Sequence, residues 1–300
     1  MKFMNTAAIL LITTLSVFTQ ISPEERQKIE TAVPQKASVQ PQKARKILVC
    51  NLHVRNGEIL AGHKSITHGN LAIRLMGEKT GAYKAVFSND SLMFRKDSLK
   101  QFDALLFNNT AGVLFEDKVL RQNILDFIAD GKGFVGFHAA AATFVQWPVY
   151  DQFPAFGEMI GAYEDMGHPW KPDERITLRV EEPEHPLNQG FDKTSFPICD
   201  EVFQFRHPYS RDKLRVLLVI DPDKTDMSQE RRILPERRAD KDFAMSWIKE
   251  YGNGRVFYTS LGHNPHIYWD AAILKHMLAG IQYATGDLKA DATASNLVKK

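Results

Sequence analysis

Gly133-Phe134-Val135-Gly136-Phe137-His138-Ala139-Ala140 is a short apolar run that stops abruptly at a histidine and continues in small residues. It reads as a buried strand followed by a tight turn. A polar side chain at the carboxyl end of a parallel strand sits where open α/β sheets place their ligands. The flanking pattern repeats the theme. Lys46 to Leu52 is a continuous apolar run that suits a strand buried on both faces. Apolar residues at helical spacing follow over about 64–79 and end at Gly81. Strands are predicted at Tyr83–Asn89 and Phe102–Phe107, and a helix from about Glu116 to Ala129. Strands alternating with helices predict an α/β fold with a doubly wound, mostly parallel sheet.

Beyond Ala142 the regularity stops. Residues 142–172 are rich in aromatics, Gly and Pro, the composition of a functional loop. Short strands are expected at 175–181, 200–206 and 214–220, then Phe243–Lys249 and Arg255–Ser260 around Gly252-Asn253-Gly254, a hairpin signal. A helix at 270–285 closes the domain. The chain thus divides into four segments. Residues 1–21 read as a signal peptide, 22–44 as a disordered or loosely helical linker, 45–290 as the α/β domain and 291–300 as a polar tail.

The chain has 300 residues, 25% of them charged, with a net charge of +2. The basic residues are scattered, so no patch points to nucleic acid. Lys2 precedes the apolar run Ala7 to Phe18, too short for a mature membrane span but suited to a secretory signal. Export to the periplasm or beyond is expected, with no membrane span in the mature chain. Cys50 and Cys199 carry no metal or disulfide spacing and read as free thiols.

Polar residues collect at the predicted strand ends: His53, then Asn108-Asn109-Thr110, His138, and His263-Asn264. In a parallel sheet these ends share one crevice. The Asp200-Glu201 pair can add one carboxylate, because strand neighbours point to opposite faces. Periodicity does not choose between the two. His63-x4-His68 offers a further pair of imidazoles. The aromatics Trp147 and Trp170, with His168 between them in sequence, suit a sugar platform. No Gly-rich phosphate loop follows the first strand, which disfavours a nucleotide or nicotinamide cofactor. No Gly-x-Ser-x-Gly elbow is present.

Several stretches together resemble the ThuA-like, trehalose-utilization family. They are Gly62-His63-Lys64-Ser65-Ile66, Phe102 to Thr110, Gly136 to Ala140, Gly157 to Tyr163, Gly167-His168-Pro169-Trp170, Asp200 to Phe205 and Gly252 to Asn264. The resemblance implies a flavodoxin-like fold of the class I glutamine-amidotransferase kind, with an added β-hairpin region. It places His138 where an amidotransferase has its elbow cysteine, so glutaminase chemistry is not expected. It also implies sugar catabolism, especially of 3-keto-glycosides supplied by a partner oxidoreductase. Family members commonly carry an Asp where this chain has Ala142.

The expectation is an enzyme acting on a sugar or keto-glycoside by acid/base hydrolysis, elimination or isomerisation. His138, His63, Glu201 and His263 are the expected catalytic set. Asn109, Trp147, His168 and Trp170 are the expected substrate contacts. The donors leave room for a divalent metal. The alternatives are a non-catalytic carbohydrate-binding or sensing protein and a structural partner of a sugar oxidoreductase. Replacing His138 with Ala is expected to abolish turnover with little change in thermal midpoint.

Overall fold

The computed structural model describes residues 21–146, 153–165, 168–228 and 232–298. The expected signal segment, all but Ile21, and Trp147 lie outside these residues. Nine strands form the central sheet: β1 (Lys46–Cys50), β2 (Lys84–Phe87), β3 (Ala104–Asn108), β4 (Gly133–Phe137), β5 (Arg175–Val180), β6 (Ser195–Cys199), β7 (Arg215–Ile220), β8 (Ala244–Tyr251) and β9 (Gly254–Thr259). Their spatial order is β6-β5-β7-β8-β9-β4-β3-β1-β2. The run β2-β1-β3-β4-β9 is parallel throughout. Numbered by their own sequence, those five strands stand in the order 2-1-3-4-5, which is the flavodoxin-like order. The antiparallel β8–β9 hairpin turns at Gly252-Asn253 and leads to the outer strands.

The buried runs alternate faces as strand geometry requires. Ile47 and Val49 of β1, with Leu106 of β3 and Val135 of β4, join one apolar layer. Leu48, Leu105, Phe107 and Phe134 join the other. Helices α1 (Pro23–Ala32), α2 (Ile66–Thr80) and α5 (Ala271–Ala284) bury residues in the first layer; α3 (Lys118–Ala129) and α4 (Pro154–Ile160) do so in the second. Gly81 closes α2 in the left-handed conformation, and Asp117 caps α3 through Val119 N and Leu120 N.

Residues 22–44 are not a disordered linker. Ser22 and Glu25 form a reciprocal capping box and Pro23 opens α1. With so few apolar residues the segment shows no amphipathic period, yet Ile29 and Val33 are buried in the first apolar layer. Beyond α1, the buried amide of Gln282 accepts from Ser38 N and donates to Val39 O. Asp287 binds Arg45. The strand expected over 200–206 is also different. Pairing ends at Cys199, and only Gln204–Arg206 pairs again, antiparallel to Tyr163–Asp165. The additional strand β6 carries Pro197, which an edge position tolerates because one side of it needs no ladder donor. The segment around Ser295 docks as well: Ser295 N donates to Leu214 O and Ser295 Oγ accepts from Val216 N.

A small second sheet caps the carboxyl edge: Glu58–Leu60, His53–Arg55, Ala111–Gly112 and Ala142–Thr143. Gly112 has φ 76°, and a Cβ there would lie 1.7 Å from the Val54 carbonyl oxygen. Backbone cannot yield as a flexible side chain does. Gly112→Ala is expected to cost about 3 kcal/mol or more, combining a left-handed penalty with overpacking. The denaturant midpoint at constant m-value checks it, and an unshifted midpoint would show that the small sheet relaxes freely.

Candidate active site

β3 and β4 each deliver a polar residue just past their carboxyl ends. His138 follows β4 directly and adopts φ 47°, the left-handed region that L-residues other than glycine rarely occupy. Asn109, just past β3, does the same at φ 59°. The kink aims the His138 imidazole at the end of β9, where Nδ1 lies 2.9 Å from the Ser260 carbonyl oxygen. A carbonyl only accepts, so Nδ1 carries the proton and Nε2 of the neutral ring is a bare lone pair. The ring stacks on Phe203 at 4.4 Å and is fully buried.

His263 lies in the loop after β9. That loop is shaped by Asp200, whose buried carboxylate accepts from the amides of Gly262 (2.8 Å), His263 (3.3 Å) and Asn264 (2.8 Å). The chain leaves strand pairing at Cys199 to make this cap. Glu201 is thereby turned the other way. Its Oε2 reaches His263 Nδ1 at 3.1 Å and His138 Nε2 at 3.7 Å. His138 Nε2 and His263 Nδ1 are 3.2 Å apart. His63 arrives from the loop before α2, its ring centroid 4.9 Å from those of both His138 and His263. Ser65 Oγ donates to Gly262 O at 2.7 Å, tying the two histidine loops together. One donor atom from each of His63, His138, Glu201 and His263 falls within 4.8 Å of the others.

A charged support lies behind this group. His168 Nδ1 is 3.1 Å from Glu201 Oε1, and its Nε2 is 2.6 Å from Glu164 Oε1. Burial by itself would lower the His168 pKa, but the two carboxylates outweigh it and raise it to about 10. Burial would raise Glu201, yet hydrogen bonds from His168 and His263 hold it well below the usual carboxylate range. Glu164, fully enclosed, is pushed up by burial. Burial, and then the neighbouring imidazoles, push His63 down to about 4 and His138 well below its ordinary value. At neutral pH His63 and His138 are therefore neutral, Glu201 is ionised and His168 is protonated.

The His168 shift has a measurable consequence. A histidine raised from 6.5 to about 10 contributes stability that is complete below pH 6.5 and is lost as pH rises through 10. Glu164→Gln removes one of the two carboxylates. The His168 ring titration followed by NMR is expected to move down toward the ordinary histidine range in that variant. An unmoved titration would mean that Glu164 does not hold the proton.

The other expected residues fare differently. Trp170 is no sugar platform: it is buried in the apolar layer, donates Nε1–H to Asp226 O and meets Phe243 edge-on. Asn109 is not a free donor. Its Nδ2 already reaches Asn108 Oδ1 (3.0 Å) and Tyr268 OH (3.3 Å), and only its buried Oδ1 lacks a partner. His168 joins the charge network described above. His68 turns away, with Nε2 3.5 Å from Glu25 Oε2 on α1. His53 stays close, its ring 6.0 Å from His63 and its Nδ1 buried without a partner. Ala142 lies on a strand of the small sheet with its side chain buried in the apolar layer, and the carboxylate of this centre is Glu201. Sequence reasoning missed Glu164 altogether. The i, i+4 spacing to His168 would have meant contact only on a helix, and Glu164 lies on a strand.

The fold and site define a flavodoxin-like α/β protein whose fourth parallel strand ends in a histidine elbow surrounded by further imidazoles and a carboxylate. The chain belongs to the ThuA family, described as trehalose utilisation, whose profile matches residues 51–284. The family ties the chain to carbohydrate metabolism. Among solved structures, a ThuA-like protein from Bacteroides uniformis superposes with a TM-score of 0.61 at 19% identity, covering 82% of this chain and 94% of that one. A ThuA-like protein from Parabacteroides merdae gives 0.54 at 16% identity, covering 83% and 93%. Both likenesses are of fold. No curated protein matches the chain significantly. Among the described residues, no helix is long and apolar enough to cross a membrane.

Proposed function

We propose that this protein is an exported carbohydrate-catabolism enzyme that acts on 3-keto-glycosides by acid/base chemistry, with elimination as the central reaction. The observation that carries the reading is the convergence of His63, His138, Glu201 and His263 at the carboxyl edge of the sheet. The family's tie to trehalose utilisation supports a carbohydrate substrate.

The chemistry needs little else. A ketone at C3 acidifies the C2 proton. A neutral imidazole takes that proton, and the electron pair passes to the ketone oxygen as an enolate. Collapse of the enolate breaks the C1–O bond, and the departing alcohol takes a proton. A positive or hydrogen-bonding group beside the ketone oxygen stabilises the enolate. Burial keeps His53, His63 and His138 on the neutral side, while His168 is held protonated.

The test is incubation of purified protein with a 3-keto-disaccharide, with and without added divalent ions, followed by product analysis. Release of the free sugar and an unsaturated or hydrated keto-sugar is expected, with loss of the C2 deuterium from labelled substrate. Tight binding without turnover would instead favour the carbohydrate-binding alternative.

A further inference from the structure

We infer that His63, His138, Glu201 and His263 form a mononuclear site for a first-row divalent transition ion of the zinc class. The inference deepens the proposed function, which supplies the substrate; the ion itself rests on geometry alone.

Four observations support it. The donor–donor separations of 3.1, 3.2 and 3.7 Å match the roughly 3.3 Å between ligands bound about 2.0–2.1 Å from a tetrahedral ion. The His138 Nε2 lone pair lies in reach of both His263 Nδ1 and Glu201 Oε2, so the three donors converge on one point. Its Nδ1–H is given to a backbone carbonyl, the usual orientation device of a metal-bound imidazole. His63 adds a buried Nδ1 with no hydrogen-bond partner.

The outer residues fit the same reading. His168 takes Glu201 Oε1, leaving Oε2 as a one-oxygen ligand, and Glu164 fixes His168 in turn. Three imidazoles and one carboxylate suit zinc, manganese, iron, cobalt or nickel. Magnesium and calcium prefer all-oxygen shells. With three neutral imidazoles and one carboxylate, a divalent ion leaves the centre at +1, suited to a growing enolate charge. The His263 side chain is 23% exposed and that of Glu201 14%, so substrate would approach from their side. With three imidazoles engaged as ligands, His53 is left as the neutral imidazole beside the centre.

The full chain, stripped with chelator and reloaded, tests the inference. One ion per chain by elemental analysis is expected, with visible d–d absorption after loading with Co2+. Excess Mg2+ should not displace it. Glu201→Gln and His263→Ala should each weaken binding at least about tenfold while remaining folded by circular dichroism. Glu164→Gln, outside the ligand set, should weaken it less. Substoichiometric binding, displacement by Mg2+, or unchanged affinity in both ligand variants would overturn the site. Bound ion with no turnover of any keto-sugar would leave the site standing and sink the proposed function. Substoichiometric binding by protein that still turns the keto-sugar over would do the reverse.

Discussion

His138→Ala is expected to lower turnover of a 3-keto-disaccharide by about three orders of magnitude, the usual scale for removing a central acid/base group or ligand. The variant is also expected to lose about 2–4 kcal/mol of stability, from a cavity and an orphaned buried carbonyl. The reasons are local. The imidazole is fully buried, stacks on Phe203 and satisfies Ser260 O. Alanine would also keep the left-handed φ of 47° without any compensating contact. The unchanged thermal midpoint expected from sequence therefore gives way to a substantial drop. Steady-state kinetics on the folded fraction, beside a denaturant curve, separates the two effects. Glu201→Gln offers a second, gentler probe of the same centre. Full activity in folded His138→Ala would remove His138 from the mechanism.

Asp200→Ala carries the other large effect. Its carboxylate satisfies three backbone amides of the 262–264 loop, all in the interior or near it. Leaving them without an acceptor is expected to cost about 3–5 kcal/mol. His263 would shift with its loop, and a displacement on the order of 1 Å can lower turnover about 100-fold. Asp200→Asn keeps an acceptor and should lose less. The pH dependence distinguishes the two further. Burial pushes Asp200 up to about 7 from 3.8, although the three amides favour its charged form. A folded pKa above the unfolded one means that the native state binds the extra proton. Stability from this group is full below about pH 4 and is lost as pH rises through about 7. That slope should vanish from the stability profile of Asp200→Asn. An identical profile in the two proteins would show that Asp200 titrates alike in both states.

Much of the sheet was legible. β1, β3 and β4 are short apolar runs buried on both faces, and such runs announce themselves in any order of residues. Their polar terminations at Asn108 and His138 were legible for the same reason, since a polar group ends an apolar run visibly. The α1 segment was not. Its buried apolar residues, Ile29 and Val33, are too few to set up a period, and its other anchors are distant in sequence: His68 beside Glu25, Lys79 on Glu30 O, and Gln282. The strand expected at 200–206 failed because the carboxylate of Asp200 is drawn to a loop some sixty residues later.

The same contrast runs through the site. A histidine at a strand end can be read from the chain, because strand direction and burial are local properties. Which carboxylate of Asp200-Glu201 faces His138 cannot, because their alternation depends on a strand that the tertiary fold interrupts. Trp170 illustrates the other side: its composition suits a sugar platform, and only packing against Phe243 places it in the core. Local chemistry thus set the fold and the identity of the central histidine. The partners of that histidine were chosen by contacts between distant segments, which carry no periodic signature along the chain.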